Sequence, residues 1–313
     1  MTTGEHLPEP KLLFIDGFHR SGTTVLTTAL TEAVGGVTTT VECLARRIPT
    51  LESFLAAGGG DRGVDRLQVV PQMAEEYGFL LRYRTGKRSI YESPDGLAVL
   101  REHIAELAAE APAAPVVLKN PWDTGNEARI LDDLPTATMI IVRRRVAEIE
   151  ASVERALARL CSSNAYSHAL SGAEGEPGRR LADIFASRWK RTLVLTLIRT
   201  VLRWRMFRLA GRVGALPLDR VAFVSYDELR VDAYGAAVWA AHLVDPASLA
   251  EAFTRHAFAE SSAPVHSGLI QRALDRRWRR AWDRMRAAQV RVAVLPSPQT
   301  LPPERAGGTA PQQ

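Results

Sequence analysis

Residues 11–33 read KLLFIDGFHRSGTTVLTTALTEA, and the rest of the chain is organised around them. Leu12, Leu13, Phe14 and Ile15 form a short apolar run of the kind that makes a buried strand. Gly17 and Gly22 bracket a turn, and Thr23 opens a helix with apolar residues at Val25, Leu26 and Leu30. Strand, glycine-bounded loop and helix N-terminus together make an anion cradle. The glycines let the backbone fold close, its N–H groups converge, and the helix dipole adds positive potential. His19 and Arg20 sit on the loop, and the hydroxyls of Ser21, Thr23 and Thr24 add donors. The bland alternative is a tight strand-to-helix turn that binds nothing.

The stretch is close to the phosphate loop of nucleotide kinases, G-x-x-x-x-G-K-[ST], but Thr23 stands where the lysine belongs and the cation is Arg20. In that form GFHRSGTT (residues 17–24) resembles the 5′-phosphosulfate loop of the sulfotransferases that use 3′-phosphoadenosine 5′-phosphosulfate (PAPS), whose usual form is [KR]-S-G-T-[TS] after a strand.

The chain has 313 residues, 46% of them hydrophobic, which suits a large α/β fold with an ample core. The formal charge is +5 and the pI about 9.5. Of the 40 basic residues only Lys11, Lys87, Lys119 and Lys190 are lysine. Arginine excess suits phosphate and sulfate recognition, and equally follows from a GC-rich bacterial genome. Charge alone therefore says only that an anionic ligand is compatible. Two cysteines, Cys43 and Cys161, argue against a disulfide framework. With no secretory signal pattern and no apolar run long enough to span a membrane, the expectation is a cytoplasmic protein without a membrane partner.

Taken in order, residues 1–10 read as a disordered lead-in, 11–295 as one α/β domain and 296–313 as a disordered tail. Residues 37–41 (VTTTV) read as a second strand ending at Glu42, next to the strand that carries the loop. Its carboxylate would then face the edge where open α/β sheets bind ligands; otherwise it is an exposed glutamate opening a helix. Residues 67–83 and 97–111 have helical spacing and would help cover an acceptor pocket. Val116, Val117 and Leu118 make a buried strand ending at Lys119, Asn120 and Pro121. Residues 138–142 (TMIIV) make another, running into Arg143, Arg144 and Arg145. With a helix between them they form a βαβ unit, and the chain reads as a three-layer, P-loop-like fold with a mainly parallel central sheet. Residues 155–204 are mostly helical around a loop at 171–178, a candidate lid. The arginines and tryptophans here suggest nucleic acid, but Leu193, Leu197, Ile198, Val201 and Leu202 share a face that the arginines mostly avoid, which reads against it. A last strand, residues 221–224, leads into SYDEL.

Two further segments extend the resemblance. Sulfotransferases carry a 3′-phosphate segment, R-[DN]-P-x-[DE]-x-x-x-S, and residues 144–152 read RRVAEIEAS. Arg144 and Ser152 fit its spacing, whereas Val146 replaces the proline, and Arg143 and Arg145 are rival ligands. SYDEL resembles the family's Y-E-D-L segment and implies that Tyr226 lies near the donor's adenine. The resemblance implies sulfuryl transfer from PAPS to a hydroxyl or amine of a small-molecule, carbohydrate or natural-product acceptor, without a metal. Arg20 would stabilise the leaving phosphate oxygen. Lys119 matches the lysine of a K-T-H segment, but the histidine position of that segment holds Pro121. A glutamate soon after the first helix serves in several bacterial members, so Glu42 is the expected base, with His19, Glu92 and His266 behind it. A P-loop kinase would need acid where Lys119 and Arg144 stand. A non-catalytic nucleotide-binding module is the rival of another class. The acceptor and the oligomeric state, a homodimer included, are not readable.

Overall fold

The computed structural model of the chain describes residues 10–64, 67–160, 165–171, 184–256 and 268–294. The expected lead-in and tail, the candidate lid beyond Ser171, Cys161 and His266 lie outside the described residues, apart from Pro10.

Five parallel strands, β1 (Leu12–Asp16), β2 (Val37–Thr38), β3 (Val116–Lys119), β4 (Ala137–Arg143) and β5 (Val221–Ser225), form one sheet in the order β2-β3-β1-β4-β5. Helices pack on both faces, so the strands are apolar throughout rather than alternating. One face buries Leu12, Phe14, Leu118, Met139, Ile141 and Phe223 against α5 (Gly96–Glu110) and α13 (Leu269–Val294), whose Trp282 stacks edge-on to Phe223. The other buries Leu13, Ile15, Val117, Ile140, Val142 and Val224 against α1 (Thr23–Ala33) and α12 (Pro246–His256).

The parallel sheet and the first, third and fourth strands are as the sequence indicates. The order of strands is not. The β3–helix–β4 unit, with α6 (Glu127–Asp133) as its helix, does not pair its own strands: β1 lies between them, Leu12 facing both Val116 and Ala137. The strand beside the loop-bearing β1 is therefore β3, and β2 is one strand further out.

The second strand is also shorter than residues 37–41. The Thr40 hydroxyl accepts the Cys43 amide at 3.1 Å and caps α2 (Val41–Ala45), which turns Glu42 into a helical residue. Nor are residues 67–77 helical. They form two non-helical pieces around a turn at Pro71, with Ala74 bridging Thr40 and the Glu75 amide donating to the Thr39 carbonyl; the helix, α4 (Gly78–Thr85), starts later. The expected helix at 97–111 is α5.

Between these lie α3 (Pro49–Ala56) and, after β4, α7 (Val146–Leu160), α8 (Ala165–Ser171) and α9 (Arg188–Arg212). On α9 the apolar face of the sequence reading is only partly the buried one: Ile198 and Leu202 are half-buried, Leu202 against the core. Leu195, Met206 and Leu209 are buried, whereas Leu193, Leu197 and Val201 are exposed. Arg199 and Arg203 instead reach Glu154 and Glu150 on α7. After β5 come the short α10 (Tyr226–Val231) and α11 (Ala233–Ala237).

Candidate active site

The loop from Gly17 to Gly22 joins β1 to α1 at the carboxyl edge of the sheet, flanked by the ends of β3 and β4. Parallel sheets place their ligand crevices there. Gly22 is the N-cap of α1 in the left-handed region, φ 96°, and no side chain caps the helix. Among the described residues the first amides of α1 thus meet no side-chain cap, the arrangement in which helix N-termini generally attract anions. Gly22 is required twice over: a Cβ there would lie 2.2 Å from Cδ2 of Tyr226, whose ring lies over the loop.

Arg20 is also left-handed, φ 70°, a conformation that costs a non-glycine residue roughly 1–2 kcal/mol. Two contacts hold it. Its Nε donates to Ser152 Oγ at 2.9 Å, and its carbonyl accepts from Arg144 Nη1 at 3.0 Å. Arg144 is buried, donates from Nε to Glu148, and lies 5.1 Å from the Tyr226 ring centre. Three segments picked out separately in the sequence, 17–24, 144–152 and the SYDEL tyrosine, therefore touch one another. Arg145 is mostly exposed and pairs with Glu148 and Asp227. Burial depresses the pKa of Arg143, with Asp275 acting in the opposite sense.

Lys119, fully buried at the end of β3, donates to Thr24 Oγ1 at 2.7 Å. Behind it Glu75 accepts from the Tyr166 hydroxyl at 2.8 Å and lies 3.6 Å from Arg62 and 4.0 Å from Lys119. Burial works against the Glu75 carboxylate, but the charges of Arg62 and Lys119, with the Tyr166 hydroxyl, outweigh it, and its pKa lies below the ordinary value. At the base of the loop, burial and the neighbouring Glu127 push Asp16 well above the carboxylate range, and Thr124 donates to it at 2.9 Å.

A cavity of about 230 Å³ opens beside the loop, with His19, Arg20, Thr23 and Thr24 on one side. Its other walls include Arg62, Glu75, Glu76, Phe79, Arg88, Trp122 and Tyr166. His19 packs edge-on to Trp122, and its Nδ1 lies 3.7 Å from Glu76 Oε1. Burial lowers the His19 pKa; Glu76 opposes the shift, and Arg205, Arg88 and Lys119 reinforce it.

Glu42 is not brought to this site. It is exposed on α2, its amide bonded to the Pro71 carbonyl, and it is not among the cavity-lining residues. Glu92 is likewise exposed, on a single 3₁₀ turn. The carboxylates that do reach the cavity, Glu75 and Glu76, lie in the stretch read from sequence as helix. Pro71 was the available signal that this stretch is broken. Arg62, Arg88 and Trp122 had none, because nothing local marks a residue that faces a distant loop.

No family model matches the chain, and no curated protein sequence does. Its fold has counterparts among solved structures. The sulfotransferase STF1 from Mycobacterium tuberculosis H37Rv aligns over 87% of this chain and 77% of its own, with a TM-score of 0.50 and 16% identity. The sulfotransferase STF9 from Mycobacterium avium aligns over 88% and 77%, with a TM-score of 0.51 and 14% identity. This chain therefore shares the fold of solved sulfotransferases.

Proposed function

We propose that the protein is a sulfotransferase that moves the sulfuryl group of PAPS to a hydroxyl or amine of a small-molecule, carbohydrate or natural-product acceptor. The observation that carries this reading is the convergence on one loop of an uncapped helix N-terminus, Arg20, Lys119 and the Arg144–Ser152 segment. The residues suit the donor. The glycine-capped turn would admit a phosphosulfate at the helix amides, with Arg20, Thr23 and Thr24 lining the adjoining cavity and Lys119 directly behind Thr24. Tyr226 and Arg144, stacked beside the loop, suit the adenosine and its 3′-phosphate.

The donor supplies an activated sulfur; the chain supplies charge and position. Arg20 and Lys119 stabilise negative charge as it builds on the leaving phosphate oxygen. The acceptor's proton needs a base within hydrogen-bond reach, and Glu42, exposed on α2, does not line the cavity. Glu76 takes that role in our reading. It lines the cavity, and the one ion-pair-range contact of its carboxylate among the described residues is His19 Nδ1 at 3.7 Å, whereas Glu75 is engaged by Arg62, Lys119 and Tyr166.

Calorimetry tests the donor reading. Adenosine 3′,5′-bisphosphate is expected to bind equally well with and without a chelator, and more tightly than ATP–Mg²⁺. Tighter binding of ATP–Mg²⁺ would transfer the assignment to a kinase. Turnover of PAPS with any acceptor would exclude a purely binding module.

A further inference from the structure

Arg88 is a cation set into the cavity wall for which the donor reading has no use. Its guanidinium lies 4.6 Å from the Trp122 ring centre and 5.2 Å from that of Phe79. It lines the cavity beside the loop. Among the described residues no carboxylate lies within ion-pair distance of it. Burial depresses its pKa, Arg82 adds to this, and Glu76 opposes it from beyond ion-pair reach. The neighbouring cations are accounted for: Arg62 by Glu75, Lys119 by Glu75 and Thr24.

The position of Arg88 is built, not incidental. Asp123, buried after β3, accepts four hydrogen bonds: from the Tyr77 hydroxyl at 2.7 Å, the Ser89 hydroxyl at 2.6 Å, the Ile90 amide at 2.9 Å and Asn120 Nδ2 at 2.7 Å. Asn120 Nδ2 also donates to the Arg88 carbonyl at 2.8 Å. One carboxylate thus holds the Ile90 amide and the Ser89 side chain beside Arg88, and the Asn120 side chain two residues before Trp122. Trp122 carries the Arg88 guanidinium over its ring and packs edge-to-face with His19. What the wall offers is the edge of a planar guanidinium, whose paired N–H groups match an oxyanion.

We propose that Arg88 is the acceptor-recognition residue of this cavity and that the acceptor carries an oxyanion, a carboxylate or a phosphate ester, as well as the group that is modified. The inference rests on the sulfotransferase reading only for the word acceptor; the anion subsite stands on its own geometry. A carboxylate seated on Arg88 would face a cavity that also holds Glu76, so the subsite selects by charge and orients the ligand at once.

The test uses benzoate, phenyl phosphate and benzyl alcohol as probes on the full chain saturated with adenosine 3′,5′-bisphosphate, which fills the loop's own anion site. Ligand-observed NMR titrations should show saturable binding of benzoate or phenyl phosphate, with benzyl alcohol at least tenfold weaker. The stronger of the two anions names the oxyanion. Arg88→Met should reduce the anions to the level of the alcohol while leaving the bisphosphate affinity within twofold. Arg88→Lys, which keeps the charge if the methionine variant does not fold, should retain a reduced preference for the anion. Absence of saturable anion binding, equal affinities in the wild type and Arg88→Met, or a collapse of bisphosphate affinity in that variant each overturns the proposal. Should the bisphosphate itself not bind, the donor reading fails separately, and the wild-type and Arg88→Met comparison is then made on the free protein.

Discussion

Replacing Gly22 by alanine isolates two penalties that the loop geometry imposes together. The backbone angle of 96° costs a side-chain-bearing residue roughly 1–2 kcal/mol. The new Cβ also falls 2.2 Å and 2.3 Å from two carbons of the Tyr226 ring, which is buried against Phe253 with ring centres 5.9 Å apart. That ring must move, and overpacking of this kind costs about 1–3 kcal/mol. The sum is a loss of about 2–5 kcal/mol. Gly58 provides a matched control, since its φ is 95° and a Cβ there meets nothing within 4 Å. Gly58→Ala should show the backbone penalty alone. Urea unfolding of both variants measures the difference, and Gly22→Ala in a Tyr226→Ala background should fall back to the cost of Gly58→Ala. If Gly22→Ala costs no more than Gly58→Ala, or costs the same with and without Tyr226, the tyrosine does not roof the loop as described.

Arg144→Ala should weaken adenosine 3′,5′-bisphosphate by about 1.5–3 kcal/mol and Ser152→Ala by about 1, in calorimetric titrations. Adenosine 5′-phosphate should be affected less by the arginine change; equal losses for both ligands would show that Arg144 acts only by holding the Arg20 carbonyl. Glu76→Gln should lower turnover by roughly two to four orders of magnitude with little change in bisphosphate affinity, while Glu42→Gln should leave turnover near normal; the reverse pattern restores Glu42. His103 is buried with Nε2 2.8 Å from the Thr39 hydroxyl, and burial pushes its pKa down to about 4. Between that value and the unfolded value near 6.5 the unfolded chain carries a proton that the folded chain lacks. Its contribution is therefore complete above about pH 6.5 and falls as the pH drops, by on the order of 3 kcal/mol at pH 4. His103→Gln should flatten that slope relative to wild type in denaturant midpoints measured across the interval.

The parts of the site written in local sequence were readable, and the parts made by packing were not. Residues 11–33 carry strand, turn and helix in one contiguous run, so the loop and its donors follow from period and glycine placement. Lys119 and Arg144 close apolar runs, and strand ends in parallel sheets share one edge. The interleaving of β1 between β3 and β4 has no local signature, which is why β2 and Glu42 were drawn too close to the loop. The Thr40 cap ended that strand early, a side-chain contact competing with β propensity and winning. Residues 67–77 have helical apolar spacing, yet fold as non-helical pieces beside Thr39 and Thr40 and bring Glu75 and Glu76 to the cavity. The apolar residues of α9 mislead for a related reason. Long arginine stems reach across to α7 carboxylates, and Leu193 and Leu197 are left outside.

The contacts that hold the loop also fix the order in which it can come into being. Arg20 is pinned by residues 124 and 132 positions away in the chain, and its roof, Tyr226, arrives only with β5. No fragment that stops short of β5 contains a finished cradle, so during synthesis the anion site is absent until most of the polypeptide has emerged. A nucleotide bound there would bridge early and late parts of the chain like a rivet, and its stabilisation would be delivered to the sheet as a whole. Limited proteolysis with adenosine 3′,5′-bisphosphate should therefore protect cleavage sites as remote as α12, well outside the ligand's own reach.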